Sequence, residues 1–187
     1  MTGILIGLAC GLGFAGILTM MAYNRLVMLG QRCDRAYADI DVQLRHRHDL
    51  IPSLVETVKG FASHERGIID SLMSARAAAV KAAGPEEQAR AEAALSSRLG
   101  QVFASVETYP EVKGSQHFAE LRREIADVEN KIAASRRFLN MAVSEHNATL
   151  AQFPAGLIGR TFGLASRRFF DLGLDRVLME DAPAVRF

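Results

Sequence analysis

From residue 26 onward, mostly apolar positions, with Arg47 the charged exception, recur at alternating steps of four and three: Leu26, Gly30, Cys33, Tyr37, Ile40, Leu44, Arg47, Ile51, Leu54, Val58 and Phe61. This spacing keeps one face of an α-helix in register and predicts a long first helix with a single seam. A second stripe, Ile68, Ile69, Leu72, Met73 and Val80, stops at Gly84-Pro85, a pair suited to ending one helix and starting the next. A third runs through Leu95, Leu99, Val102, Val106 and Tyr109, with a loop expected from Pro110 to Gly114. The longest follows Phe118, Leu121, Ile125, Val128, Ile132, Ser135, Leu139, Ala142, His146, Thr149 and Phe153, and should end at Phe153-Pro154. No alternating strand pattern competes. The expected fold is all-α: an N-terminal transmembrane helix followed by an antiparallel four-helix bundle with long first and last helices.

The transmembrane element comes from the opening stretch, MTGILIGLACGLGFAGILTMMAYN. All 22 Lys and Arg and all 21 Asp and Glu lie beyond Asn24. About 20 apolar residues suffice to cross a bilayer as a helix that satisfies its own backbone. A cleaved signal peptide competes, but it calls for a basic leading region, and no basic side chain precedes Arg25. Arg25, Arg32 and Arg35 crowd the far side, so the positive-inside rule sets the N-terminus outside and the bulk of the chain in the cytoplasm, on a single-pass protein of the cell membrane. Three segments follow: an anchor at 1–24, a helical bundle at 25–154, and an amphipathic segment with its tail at 155–187.

Within the anchor Gly3, Gly7, Gly11 and Ala15 recur every four residues. A stripe of small side chains lets a second backbone approach closely, so self-association is expected there. The competing explanation is that glycine is simply frequent in membrane helices. If the long first helix leaves the bilayer and the long last helix returns, residue 155 comes back near the membrane. Beyond it Ile158, Phe162, Ala165, Phe169 and Leu172 share a helical face, with Arg160, Arg167, Arg168 and Asp171 largely elsewhere. Ile158, Phe162, Arg167, Arg168, Phe169 and Phe170 are thus candidate membrane contacts, the alternative being that the segment folds back onto the bundle.

Composition removes several functions. A net charge of +1 argues against a nucleic-acid partner. With Cys10 in lipid and Cys33 on an apolar seam, neither a disulfide framework nor a reactive thiol is expected. The stretch RHRHDLIPSLVETVKGFASHE gathers His46, His48 and His64 near acids. His46 and His48 nevertheless point ~200° apart on a helix, and no Glu is followed three residues on by His. No metal, cofactor or catalytic residue is therefore assigned, and the protein is expected not to be an enzyme. The stretch reads instead as a helix joint of Arg47, Asp49 and Pro52. Pro52 removes a donor and clashes with the carbonyl at position 48. The seam stays in phase across it, favouring a kinked single helix; the alternative ends near His48 and restarts from Leu50 to Ala83. Arg45 and Arg47 are the nearest donors for a freed carbonyl, and Arg47, on the seam, should pair with a core acid or reach outward.

YNRLV after the anchor, IDVQLRHRHDLIPSLVETVKGFASHE, VETYPEVKGSQHFAELRREIADVENKIAASRRFLNMAVSEHNATLAQFP and the later FF together resemble the LemA family. They run in order through nearly the whole chain, departing at Phe61 and Phe138, where the family usually carries Tyr. The resemblance implies a membrane-anchored protein with a short exterior N-terminus and a cytoplasmic four-helix bundle. The family includes magnetosome-membrane proteins tied to membrane invagination, and it brings no established enzymatic activity or cofactor. The expected role is a membrane-organising scaffold whose partners are itself and the lipid bilayer. The alternative is an adaptor for an unidentified cytoplasmic protein.

Overall fold

The computed structural model describes residues 1–59 and 66–170. Phe61, His64, Glu65, Asp171, Leu172 and the rest of the expected tail lie outside the described residues. The described chain is all-helical, with no strand: α1 Thr2–Val58, α2 Arg66–Lys81, α3 Pro85–Val106, α4 Pro110–Lys113, α5 Gln116–Ala151 and α6 Ala155–Thr161. These residues group into two compact units, one of Met1–Asp39 with Ser135–Phe169, the other of Ile40–Ala134 with Phe170. The division falls inside α1 and α5, each of which supplies a stretch to both.

In the second unit the apolar steps become a core. Ile51, Leu54 and Val58 of α1 join Ile69, Leu72 and Ala79 of α2, Leu95, Leu99, Val102 and Val106 of α3, and Phe118 and Ile125 of α5. Burial of such side chains, about 25 cal/mol per Å² of apolar area, is what holds short helices that would not persist alone. α2 turns slightly from its expected face. Ala79 is buried while Met73 and Val80 are exposed, because Ile69, Leu72 and Ala79 repeat at three and seven residues and carry the neighbouring positions outward. Between α2 and α3, Gly84 takes φ +83, which a side chain would strain, and Pro85 opens α3 where its missing amide is not needed. The connection expected as a loop at Pro110–Gly114 holds the short α4. Glu107 orders it by accepting from Lys113 and, at 3.1 Å, from Arg122. Those two cations, Lys113 foremost, hold its carboxyl below the ordinary carboxylate range.

In the first unit the opening apolar run of α1 is long and apolar enough to cross a membrane, and none of it is buried. Leu26, Leu29, Cys33 and Ala36 then take up the buried seam. α5 contributes Leu139, Ala142, Val143, His146 and Thr149, and ends at Ala151, so Phe153 stands outside it. The amphipathic helix expected to continue to Leu172 stops at Thr161. Gly163 at φ +71 leaves the helical region, and residues 164–170 are non-helical. α6 buries Ala155, Ile158 and Gly159 and lies close over the end of α5.

That closeness depends on glycine. A Cβ at Gly156 would stand 2.7 Å from the backbone oxygen of Leu150, whereas one at Gly159 would meet the movable end of the Leu150 side chain. We expect Gly156→Ala to destabilise the α5–α6 turn by about 1–3 kcal/mol and Gly159→Ala by clearly less. Hydrogen exchange at the α6 amides of detergent-solubilised protein is the check.

Candidate functional site

Pro52 lies inside α1 without interrupting it. A proline offers no amide to the carbonyl four residues earlier, which belongs to His48. The donor comes from another helix: Arg76 of α2 reaches the His48 oxygen through Nε at 2.7 Å. Arg45 and Arg47, the expected donors, are engaged elsewhere, Arg45 with Asp41 at 2.5 Å. The helix is thus carried through its proline by a side chain 28 residues away in sequence.

One residue before His48, the seam places Arg47 inside the core at 1% exposure. Its guanidinium meets the carboxylates of Glu92 on α3 and Glu129 on α5, and donates to Ser96 Oγ at 2.7 Å. Glu92 is itself 3% exposed, with one carboxylate oxygen on Arg47 and the other 2.8 Å from His48 Nε2. Charges this deep are tolerated only when paired and hydrogen-bonded. The sequence left Arg47 either a core acid or an outward reach, and the fold takes the first. Glu92 could have been found, since it falls on the α3 stripe three residues before Leu95.

Chemically this cluster is a junction. Both oxygens of Glu92 are taken and it is shut off from solvent, so it presents no free base to a substrate. Among the described residues no group of three or more His, Cys, Asp and Glu side chains could hold a metal ion. His46 faces Glu124 at 3.3 Å, while His146 is buried beside Asn147. Asp49, the remaining joint residue, is exposed on an open cleft of about 540 Å³ with Asp41, Arg45, His48, Arg76 and Gln88.

The first unit holds a second polar cluster. Arg167 spans both carboxylate oxygens of Asp34, the longer contact being 3.2 Å. The Asn147 amide clamps the Arg167 backbone at both ends, giving Nδ2–H to its carbonyl and accepting its N–H at Oδ1, each at 2.8 Å. The Asp34 hydrogen bond raises the Arg167 pKa above its ordinary value, burial opposing. Burial pushes the Cys33 thiol up, with Arg167 pulling it back. Arg32 joins Glu145 at 2.9 Å and lies 5.5 Å from the Phe138 ring.

Three of the six expected membrane contacts are buried or held in an ion pair within the protein. Ile158 and Phe170 are buried, and Arg167 is held by Asp34, because the segment is not one continuous helix and does not present one face. Phe162, Arg168 and Phe169 remain exposed. Gly3, Gly7, Gly11 and Ala15 are exposed too, and a Cβ at any of the three glycines would meet nothing within 4 Å. Asn147 and Asp34 carried no recognisable signal in the sequence, being single polar residues beside an apolar seam.

The family model for LemA matches residues 36–187. Among curated relatives, the Magnetosome protein MamQ of Magnetospirillum gryphiswaldense is 21% identical over 177 residues, covering 81% of this chain and 65% of that protein. The Magnetosome proteins MamQ 2 and MamQ 1 of Paramagnetospirillum magneticum match with the same identity and coverage. The chain thus spans just under two thirds of the length of these relatives, 65%.

We expect Arg76→Ala to cost about 1–3 kcal/mol in urea denaturation, the penalty of an unanswered carbonyl. Pro52→Ala restores an amide that can serve the His48 oxygen from within α1, so in that background Arg76→Ala should cost under about 0.5 kcal/mol. Equal costs in both backgrounds would mean that Arg76 stabilises the protein by some other contact.

Proposed function

The chain belongs to the LemA family, and on that premise we propose that it is a non-enzymatic, membrane-anchored scaffold that self-associates and organises or remodels the bilayer around it. The observation that carries this reading is the opening run of α1: apolar throughout, wholly exposed, and bearing glycines whose Cβ positions face open space. Exposed apolar surface on this scale is costly in water and calls for lipid or protein around it. The Thr19 hydroxyl within this run supports the same environment, since it donates to the Ala15 carbonyl at 2.9 Å and needs no water.

In this reading residues 1–24 are the single pass, with the N-terminus outside and the bulk of the chain in the cytoplasm. The helices of residues 25–154 form an antiparallel bundle beneath it. Two pairings suit that arrangement in the second unit: His46 meets Glu124, while Pro52, Ser53 and Thr57, further along α1, line a cleft with the earlier His117 of α5. The relatives are named as magnetosome proteins, and that name favours a membrane-organising role here. A non-catalytic role is favoured by the buried charges of the second unit, which are spent on one another.

One observation supports a second reading. The open cleft edged by Asp41, Arg45, Asp49 and Arg76 offers alternating charge suited to an adaptor's grip on a cytoplasmic protein. Crosslinking in cells separates the two, a dominant partner other than the chain itself favouring the adaptor. For the scaffold, purified full chain in detergent should run as an oligomer by light scattering, and Gly7→Leu combined with Gly11→Leu should lower its mass. An unchanged mass in that variant would remove the glycine face from the assembly.

A further inference from the structure

Three large apolar side chains stand exposed along α6 and just beyond its two ends: Phe153 at 87%, Leu157 at 63% and Phe162 at 56%. The inner face of α6 is satisfied by Ala155, Ile158 and Gly159, so this exposure is not a shortage of core. The level of the turn along α1 is set by two contacts. The Phe162 ring lies 4.8 Å from the ring of Tyr23, centroid to centroid. The Gly159 Cβ position lies 3.6 Å from Leu26 Cδ1 and against Leu150, in the last turn of α5. Tyr23 sits in the final turn of the uncharged run, and Leu26 is one turn further, about 4.5 Å at 1.5 Å per residue. Phe162 and the Gly159 turn of α6 therefore lie where the apolar surface of α1 ends and its first cation, Arg25, begins, and Leu157 is carried on the same short helix.

We infer that α6, with the turn that leads into it, is an interfacial wedge: Phe153, Leu157 and Phe162 sink into the boundary between headgroups and acyl chains, with Phe162 beside Tyr23 and with Arg25 and the exposed Arg160 at anionic headgroups. The inference rests on the reading of residues 1–24 as the membrane anchor and adds a second point of contact to it. The occupant is lipid rather than protein because the patch continues the apolar surface of α1 at its own level. Aromatic side chains favour this depth, and interfacial segments lie about 5–10 Å into it, roughly the spread between the Tyr23 and Leu26 levels plus a side chain. Arg167, by contrast, takes no part, being held by Asp34.

The chain has no tryptophan, so a single introduced one reports only its own surroundings. Full-length Phe153→Trp, Leu157→Trp and Phe162→Trp proteins would be reconstituted in vesicles of phosphatidylcholine and phosphatidylglycerol, with and without bromine on the acyl chains. Leu12→Trp marks the anchor, and Met141→Trp, exposed about 15 Å back along α5, marks the body. The wedge predicts blue-shifted emission that brominated lipid largely quenches at 153, 157 and 162, and unquenched emission at 141. Quenching at 12 but not at 153, 157 or 162 would overturn the wedge and leave the anchor standing. Blue-shifted emission at the turn that bromine leaves untouched would overturn it in favour of a second copy of the chain. Loss of quenching at position 12 itself would sink the anchor reading and the wedge with it.

Discussion

Pro52 has no amide hydrogen, and the carbonyl of His48 therefore needs a donor from outside α1. Arg76 supplies it, and in doing so ties α2 to α1 at the turn where Arg47 and His48 tie α1 to α3 and α5. One residue type, arginine, serves both needs because its planar fork can meet several acceptors at once. The second unit is thus organised around a backbone defect. The apolar core of Ile51, Leu54, Leu72, Leu95 and Val102 supplies most of its burial, while the polar junction decides which helices meet at which level.

Much of this was legible beforehand. The seam of α1 is legible from Leu26 to Val58, including the unusual step at Arg47 and with only Tyr37 half-buried, because period and burial are linked directly in a helix. The α5 stripe from Phe118 to Thr149 was equally plain, with only Ser135 half-buried. What escaped were choices made in three dimensions. Arg45 and Arg47 are nearer in sequence to the orphan carbonyl than Arg76, yet packing delivers Arg76. Ile158 to Leu172 fit a helical period, yet Gly163 in the left-handed region and the Asn147 clamp on Arg167 end the helix early. A periodic pattern says that a helix would be amphipathic, not that backbone competitors will let it form.

The candidate membrane surface shifted for the same reason. Expected as one face of a long amphipathic helix, it consists instead of side chains around a tight turn, and its cations divide between roles. Arg160 stays outward, while Arg167 is drawn inward to Asp34 and lies against Gly30, where a Cβ would stand 3.4 Å from its guanidinium. Charge in the sequence named the residues able to meet headgroups. Only the fold separates those that are free to do so from those already committed.

Asn147 carries a consequence of its own. It gives one hydrogen bond and takes one from the same residue, and both must be present to hold an extended stretch against a helix. Aspartate has the shape but two acceptors, so one oxygen would face the Arg167 carbonyl. Leucine has the bulk but neither function, and glutamine is one carbon too long. The position consequently has almost no neutral neighbours among the amino acids. Even the slow chemical ageing of its amide to a carboxylate would act there as a mutation without any change in the gene.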